Sequence, residues 1–173
     1  PAGAESVRES RFPQLGVSGP LKRLPLALGV SFSNYTSRDF TLTSGDTIPL
    51  RGVDVPVSDT FSSRGGMSDL RFAGSYKLHD KWAFGGALHL LTGSNRITSV
   101  RAFADSSFHP APQSAEISYA GVGVEVGVVG TLGPNFSLAA SARSDGHAIV
   151  DRDSTRVAQV DLPYTFGFGV RWR

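Results

Sequence analysis

Bulky apolar residues alternate with small or polar ones along most of this chain. From Leu24 to Phe32 the even positions Leu24, Leu26, Leu28, Val30 and Phe32 are large, and Ala27, Gly29 and Ser31 between them are small. A period of two gives each set its own face of a β-strand, whereas a helix would mix them around its circumference. The pattern recurs over 69–78, where Leu70, Phe72, Tyr76 and Leu78 oppose Asp69, Arg71, Ser75 and Lys77. In 81–92, Trp82, Phe84, Leu88 and Leu90 oppose Ala83, Gly85, Ala87 and His89. Val122, Val124, Val126 and Val128 oppose Gly121, Gly123, Glu125 and Gly127 in 120–130. Further stretches of the same kind lie at 136–143 and 162–172, and a weaker one at 11–18 carries Leu15 and Val17. About seven strands are expected, with a missed one sought at 53–63 or 1–9.

Turn residues punctuate these stretches unevenly. Short connections are expected at 19–23, 79–81 and 132–135, and long polar loops at 44–66, 99–113 and 145–157. Parity then sets the register, because paired residues of an antiparallel ladder share a face. A three-residue turn at 79–81 places Arg71 opposite His89. The same rule at 132–134 places Glu125 opposite Ser141, with Arg143 one step diagonal.

The second face decides what surrounds the sheet. A soluble β-protein turns its apolar face inward and carries Lys, Glu and Thr outside. Here the second face is Gly, Ala and Ser with isolated charges. Such residues suit the interior of a barrel whose apolar face meets lipid. Aromatic belts are expected at both interfaces, Tyr76, Trp82, Phe136 and Trp172 at the short-turn side and Phe32, Tyr35, Tyr119 and Tyr164 at the long-loop side. The expected fold is all-β, an antiparallel up-and-down transmembrane β-barrel with about seven to eight strands visible, forming a single domain over 1–173. Single-chain bacterial barrels have even strand numbers, and lipid tolerates no open sheet edge. Seven strands, starting abruptly at Pro1 and ending at Arg173, therefore point to part of a larger barrel or to closure between molecules.

Composition changes little in this picture. With 20 Gly, 10 Pro, 11 Phe and 1 Met among 173 residues, strands and turns are favoured over helices. No cysteine is present, so disulfides and thiolate metal sites are excluded. A net charge of +2, spread along the chain, gives no footprint for nucleic acid. No run of about 18 apolar residues exists for a transmembrane helix, and no signal peptide is visible.

The hairpin Ser68-Asp-Leu-Arg-Phe-Ala-Gly-Ser-Tyr-Lys-Leu and Trp82-Ala-Phe-Gly-Gly-Ala-Leu-His-Leu-Leu-Thr-Gly resembles strands of the FadL-like outer-membrane transport family and of the related PorV-type barrels. The segment Pro163-Tyr-Thr-Phe-Gly-Phe-Gly-Val-Arg-Trp is similar to strands of the same group, and Pro1-Ala-Gly resembles its Asn-Pro-Ala segment. The resemblance covers roughly 67–172. It implies a bacterial outer-membrane location, a barrel of about fourteen strands, an N-terminal plug and a path for hydrophobic ligands. It carries over no individual site residue.

The lumen-facing charges Asp69, Arg71, Lys77, His89, Glu125 and Arg143 are the candidate site residues. They either line a polar path or hold a plug, or they pair with one another as an internal network that fills the barrel. Of the four histidines, His79, His89, His109 and His147, none has the spacing of a metal pair. His89 is the one positioned to activate a hydroxyl such as Ser75, but no nucleophile elbow accompanies it. The pieces Gly121-Val-Gly-Val and Gly167-Phe-Gly-Val lack a following helix and are not phosphate loops. The reading is therefore non-enzymatic and without cofactor or metal. Its partners are membrane lipid, a small hydrophobic ligand, and other envelope proteins or further strands. The expected function is passage or uptake of small hydrophobic molecules. The alternatives are an outer-membrane scaffold that binds a partner through its long loops, and a soluble ligand-binding β-barrel.

Overall fold

The structure, a computed structural model, describes residues 14–153 and 155–172. They form ten antiparallel strands: β1 (Gln14–Pro20), β2 (Leu26–Ser37), β3 (Phe40–Leu50), β4 (Val53–His79), β5 (Trp82–Phe103), β6 (Ala111–Thr131), β7 (Phe136–Ser144), β8 (His147–Arg152), β9 (Thr155–Asp161) and β10 (Thr165–Trp172). All belong to one sheet, and the described residues contain no helix. The main path runs β1-β2-β4-β5-β6-β7-β10, seven strands across. The sheet is not closed, and β1 and β10 are the two ends of the main path.

Three strands lie off this path because two long strands are each flanked by a pair of shorter ones. β4 has 27 residues; β2 pairs its second half and β3 its first. β6 likewise pairs β7 along one half and β8 along the other, and β9 continues beside β8. The seven strands read from the alternation match the path; β8 lies in a stretch expected to be loop, and β3 and β9 lie partly in such stretches. Segment 44–66 is the end of β3 and the start of β4, reversed at Arg51 and Gly52. Both have positive φ, 52° and 80°, which is the backbone that a tight two-residue hairpin turn requires. The 53–63 stretch is a strand, while 1–9 lies outside the described residues. The connection within 99–113 shrinks to 104–110.

Arg71 pairs with His89, as parity predicts. The turn beyond it is tighter than expected: a bulge between Lys77 and His79 leaves Asp80 and Lys81 as the connection. At the next turn the register differs by two residues, so Glu125 faces Arg143 directly and Ser141 faces Gly127. The four residues 132–135 make the turn there, and the N–H of Leu132 donates to the carbonyl of Phe136. A slip of two leaves every side chain on its predicted face.

The exposed face is the apolar one. Leu28, Val30, Phe72, Phe84, Val124, Leu138 and Phe168 are all open to the surroundings, Phe168 to 85 %. The chain exposes 12612 Å², against roughly 8,100 Å² for a compact soluble monomer of its mass. The buried side chains lie on the other face and include Asp69, His89, Leu91, Asn95 and Asp145.

Strong curl makes that other face concave. Tyr35 on β2 and Asp145, between β7 and β8, are four strand steps apart, about 19 Å on a flat sheet. The Tyr35 hydroxyl nevertheless donates to Asp145 Oδ2 at 3.3 Å. Gly65 marks a close approach of β4 to β5: its φ is +128°, and a Cβ there would meet the Ser94 carbonyl oxygen at 2.1 Å. Gly65 N–H donates to Asp39 Oδ1, which pins the break between β2 and β3 to β4.

Two aromatic assignments change. Tyr76, Trp82 and Trp172 are exposed at the short-turn side, with Phe136 edge-on to Trp172 at 6.2 Å. Tyr164 and Phe32 are exposed at the other end. Tyr35 and Tyr119 instead belong by parity to the concave face, Tyr35 reaching Asp145 and Tyr119 pairing with Gly93 and Val150.

Candidate functional site: a charged cluster on the concave face

Three consecutive long strands each place an ionisable residue on the concave face at neighbouring levels. Asp69 and Arg71 come from β4, His89 from β5, and Glu125 from β6. Arg143 arrives from β7 through its direct pairing with Glu125. The alternation fixes which way all five point, and the register fixes their level.

His89 is the centre and is 1 % exposed. Its Nδ1 lies 2.8 Å from Asp69 Oδ2 and 3.0 Å from Oδ1. Its Nε2 lies 3.3 Å from Glu125 Oε2. A carboxylate accepts but does not donate, so the ring satisfies both partners when both nitrogens carry hydrogen. Arg71 Nη2 sits 2.8 Å from the same Glu125 oxygen. Arg143 Nη1 reaches Asp69 Oδ2 at 3.1 Å across two intervening strands, and its Nε donates to Asp145 Oδ1. The guanidinium also lies 5.5 Å from the centre of the Tyr35 ring, within cation–π range.

Asp69, Glu125 and Asp145 face Arg71, Arg143 and His89. Buried charges of one sign without partners cost several kcal/mol each, and pairing offsets part of that cost. A groove of about 300 Å³ continues from the cluster toward the short turns, with Arg71 and Glu125 at its rim and Ala73, Ser75, Gly85 and Ala87 along it.

Five of the six sequence candidates thus meet. Lys77 does not: it is exposed near the turn, and its Nζ donates to Asp80 Oδ1 at 2.8 Å. Two members escape a reading by alternation. Asp145 falls in the break after β7, a stretch expected to be loop, yet it is 1 % exposed. A signal existed in Gly123, whose Cβ position is filled by Asp145 Oδ1, 2.3 Å away. A strand glycine often marks such close approach. Tyr35 is the other, assigned to a belt.

The chemistry available is limited by this pairing, in which Arg71 Nε and Arg143 Nη2 are the buried nitrogens that find no hydrogen-bond partner among the described residues. Neither nitrogen of His89 faces a hydroxyl, so the pairing with Ser75 has no geometry here. Among the described residues no group of three or more His, Cys, Asp or Glu side chains could hold a metal ion. What remains is a rigid polar brace that ties β2, β4, β5, β6 and β7 across the concave face. In comparisons with known proteins, the chain matches no family model, no curated protein and no solved structure.

Proposed function

We propose that this chain forms the wall of a bacterial outer-membrane β-barrel that takes part in passage or uptake of small hydrophobic molecules. One observation carries the membrane half of this reading: in the short-turn half of the long strands the exposed face is apolar and the buried face is charged. In water that distribution leaves Phe72, Phe84, Val124 and Phe168 uncovered; in lipid it is the expected one. The apolar stripe of β4 from Leu70 to Leu78 spans about 26 Å along the strand, suited to a strand crossing a thin bilayer at a tilt. The transport half rests on the resemblance of 67–172 to FadL-like barrels.

The two edges say what closes such a barrel. β1 and β10 both run toward the short-turn side, so joining them directly, or joining β10 of one copy to β1 of another, makes a parallel seam. An all-antiparallel barrel takes an odd number of further strands between them, which brings the total to the even count usual in single-chain bacterial barrels.

The test is uptake. Vesicles holding the protein should accumulate a labelled hydrophobic ligand faster than protein-free vesicles, and equal rates would sink the transport claim. A second reading, a barrel that binds another envelope protein, is favoured by the ordered hairpins β3–β4 and β5–β6 that rise past the apolar stripe. Deleting 104–110 and, separately, shortening the Leu50–Val53 turn region should abolish such binding while the fold persists; binding that survives both deletions rules this reading out.

A further inference from the structure

The outward face of the long strands changes character at one level. On β4 the last outward apolar residue is Leu70, followed by Ser68, Gly66 and then Arg64; on β5 Leu90 is followed by Thr92, Ser94 and Arg96. Arg64 and Arg96 are direct cross-strand partners on the exposed face. Like charges placed directly opposite destabilise a sheet. Glu116, the next residue in the row, lies 3.3 Å from Arg96 Nη2. Arg64 has no carboxylate partner among the described residues. A third arginine, Arg38, is exposed on the neighbouring strand, but its N–H bonds the Gly65 carbonyl at 2.9 Å, which pairs it with Gly65 and puts it by parity on the concave side. Asp39 is the other acid here, and it is held by the Gly65 N–H and the Ser37 hydroxyl.

We propose that Arg64 and Arg96 bind the phosphate of an anionic lipid headgroup in the leaflet on the hairpin-extension side. This rests on the membrane reading above. The level fits. Six residues past the stripe is about 20 Å along a strand, or about 14 Å in height at a tilt near 45°. An arginine reaching back about 6 Å along the small residues between brings its guanidinium about 8 Å beyond the hydrocarbon edge. The headgroup layer occupies about 5–8 Å on each side of a bilayer. The chemistry fits as well, because a phosphate takes paired guanidinium donors and cancels the repulsion between them. Ser68, Gly66, Thr92 and Ser94 leave that approach unobstructed.

The experiment measures urea resistance of the full chain by tryptophan fluorescence, in phosphatidylcholine vesicles and in vesicles of seven parts phosphatidylcholine to three parts phosphatidylglycerol. The wild type should unfold less readily in the anionic vesicles, with the unfolding constant lowered about thirtyfold, as about two basic residues near a charged surface provide. R64Q/R96Q should lose that difference and R64K/R96K should keep part of it. R101Q, on the concave face, should leave the lipid dependence unchanged. A wild type indifferent to lipid charge, or an R64Q/R96Q variant that keeps the dependence, overturns the proposal. If inorganic phosphate added to phosphatidylcholine vesicles reproduces the gain, the site takes a free anion and the lipid assignment is wrong. If the apolar-stripe segments 70–78, 82–90 and 122–130 are digested by protease in both vesicle types, the membrane reading itself fails and this inference with it.

Discussion

Two halves of the same strands obey opposite rules. Toward the short turns, the outward positions of β4, β5 and β6 are Phe72, Tyr76, Phe84, Leu88, Val122 and Val124, and the concave positions are Asp69, Arg71, His89 and Glu125. Toward the hairpin tips, the outward positions are Thr60, Ser62, Arg64, Thr98, Glu116 and Ser118, while Val55, Val57, Met67 and Leu91 are buried on the concave side. No register shift separates the halves of β5 and β6, or of the long β4–β5 ladder above its turn. The backbone is therefore the same ladder throughout, and only the side chains exchange sides. A sheet in one solvent has no reason to invert. A sheet that leaves lipid for water has one, since the apolar side must always face away from water.

Mutations that act differently in the two halves break or sharpen this comparison. The largest effect belongs to the brace. Arg143→Ala leaves Asp69 and the buried Asp145 without their guanidinium, and should cost about 3–5 kcal/mol by urea unfolding in vesicles. Leu91→Ala, in the small core just beyond the inversion, should cost about 2–5 kcal/mol, as cavity formation does in any water-facing core. Val124→Arg should cost about 2–4 kcal/mol if position 124 faces mid-bilayer. Ser118→Arg lies on the same face of the same strand past the inversion, and should stay within about 0.5 kcal/mol. Equal costs for the last two would remove the reason for placing a lipid boundary between them.

The smallest effect concerns pH in the extension. Hydrogen bonds from Arg101 hold the Asp59 carboxyl below the usual carboxylate range. A lowered folded value means that the pair contributes above the unfolded pKa and loses its contribution as pH falls through the folded one. Asp59→Asn should therefore be slightly less stable than wild type at neutral pH and indistinguishable from it in strong acid, measured by the same unfolding assay.

The residues explain what could be read in advance. Strict alternation of large and small residues in 24–32, 69–78, 81–92 and 120–130 made the seven-strand path, the facing of every charge and the Arg71–His89 pairing legible. β3 was not legible, because Thr41-Leu-Thr-Ser-Gly-Asp-Thr-Ile-Pro lacks an apolar stripe and is rich in turn formers. It pairs because β4 offers it a ladder. The Glu125–Arg143 contact was missed by a register slip of two, since local rules fix parity but not loop length. Asp145 and Tyr35 join the site only through the curl of the whole sheet, which depends on contacts four strands apart and leaves no short-range signature.

The chain has no cysteine, so single cysteines can report each position's surroundings directly. Replacing residues 114, 116, 118, 120, 122, 124 and 126 of β6 one at a time and labelling intact vesicles with a water-soluble maleimide tests the inversion at residue resolution. The account predicts fast labelling at 114, 116 and 118 and near-complete protection at 122, 124 and 126, with the break near 120. Uniform fast labelling along the whole outward face would contradict it, because a face that water reaches everywhere is not one that lipid covers.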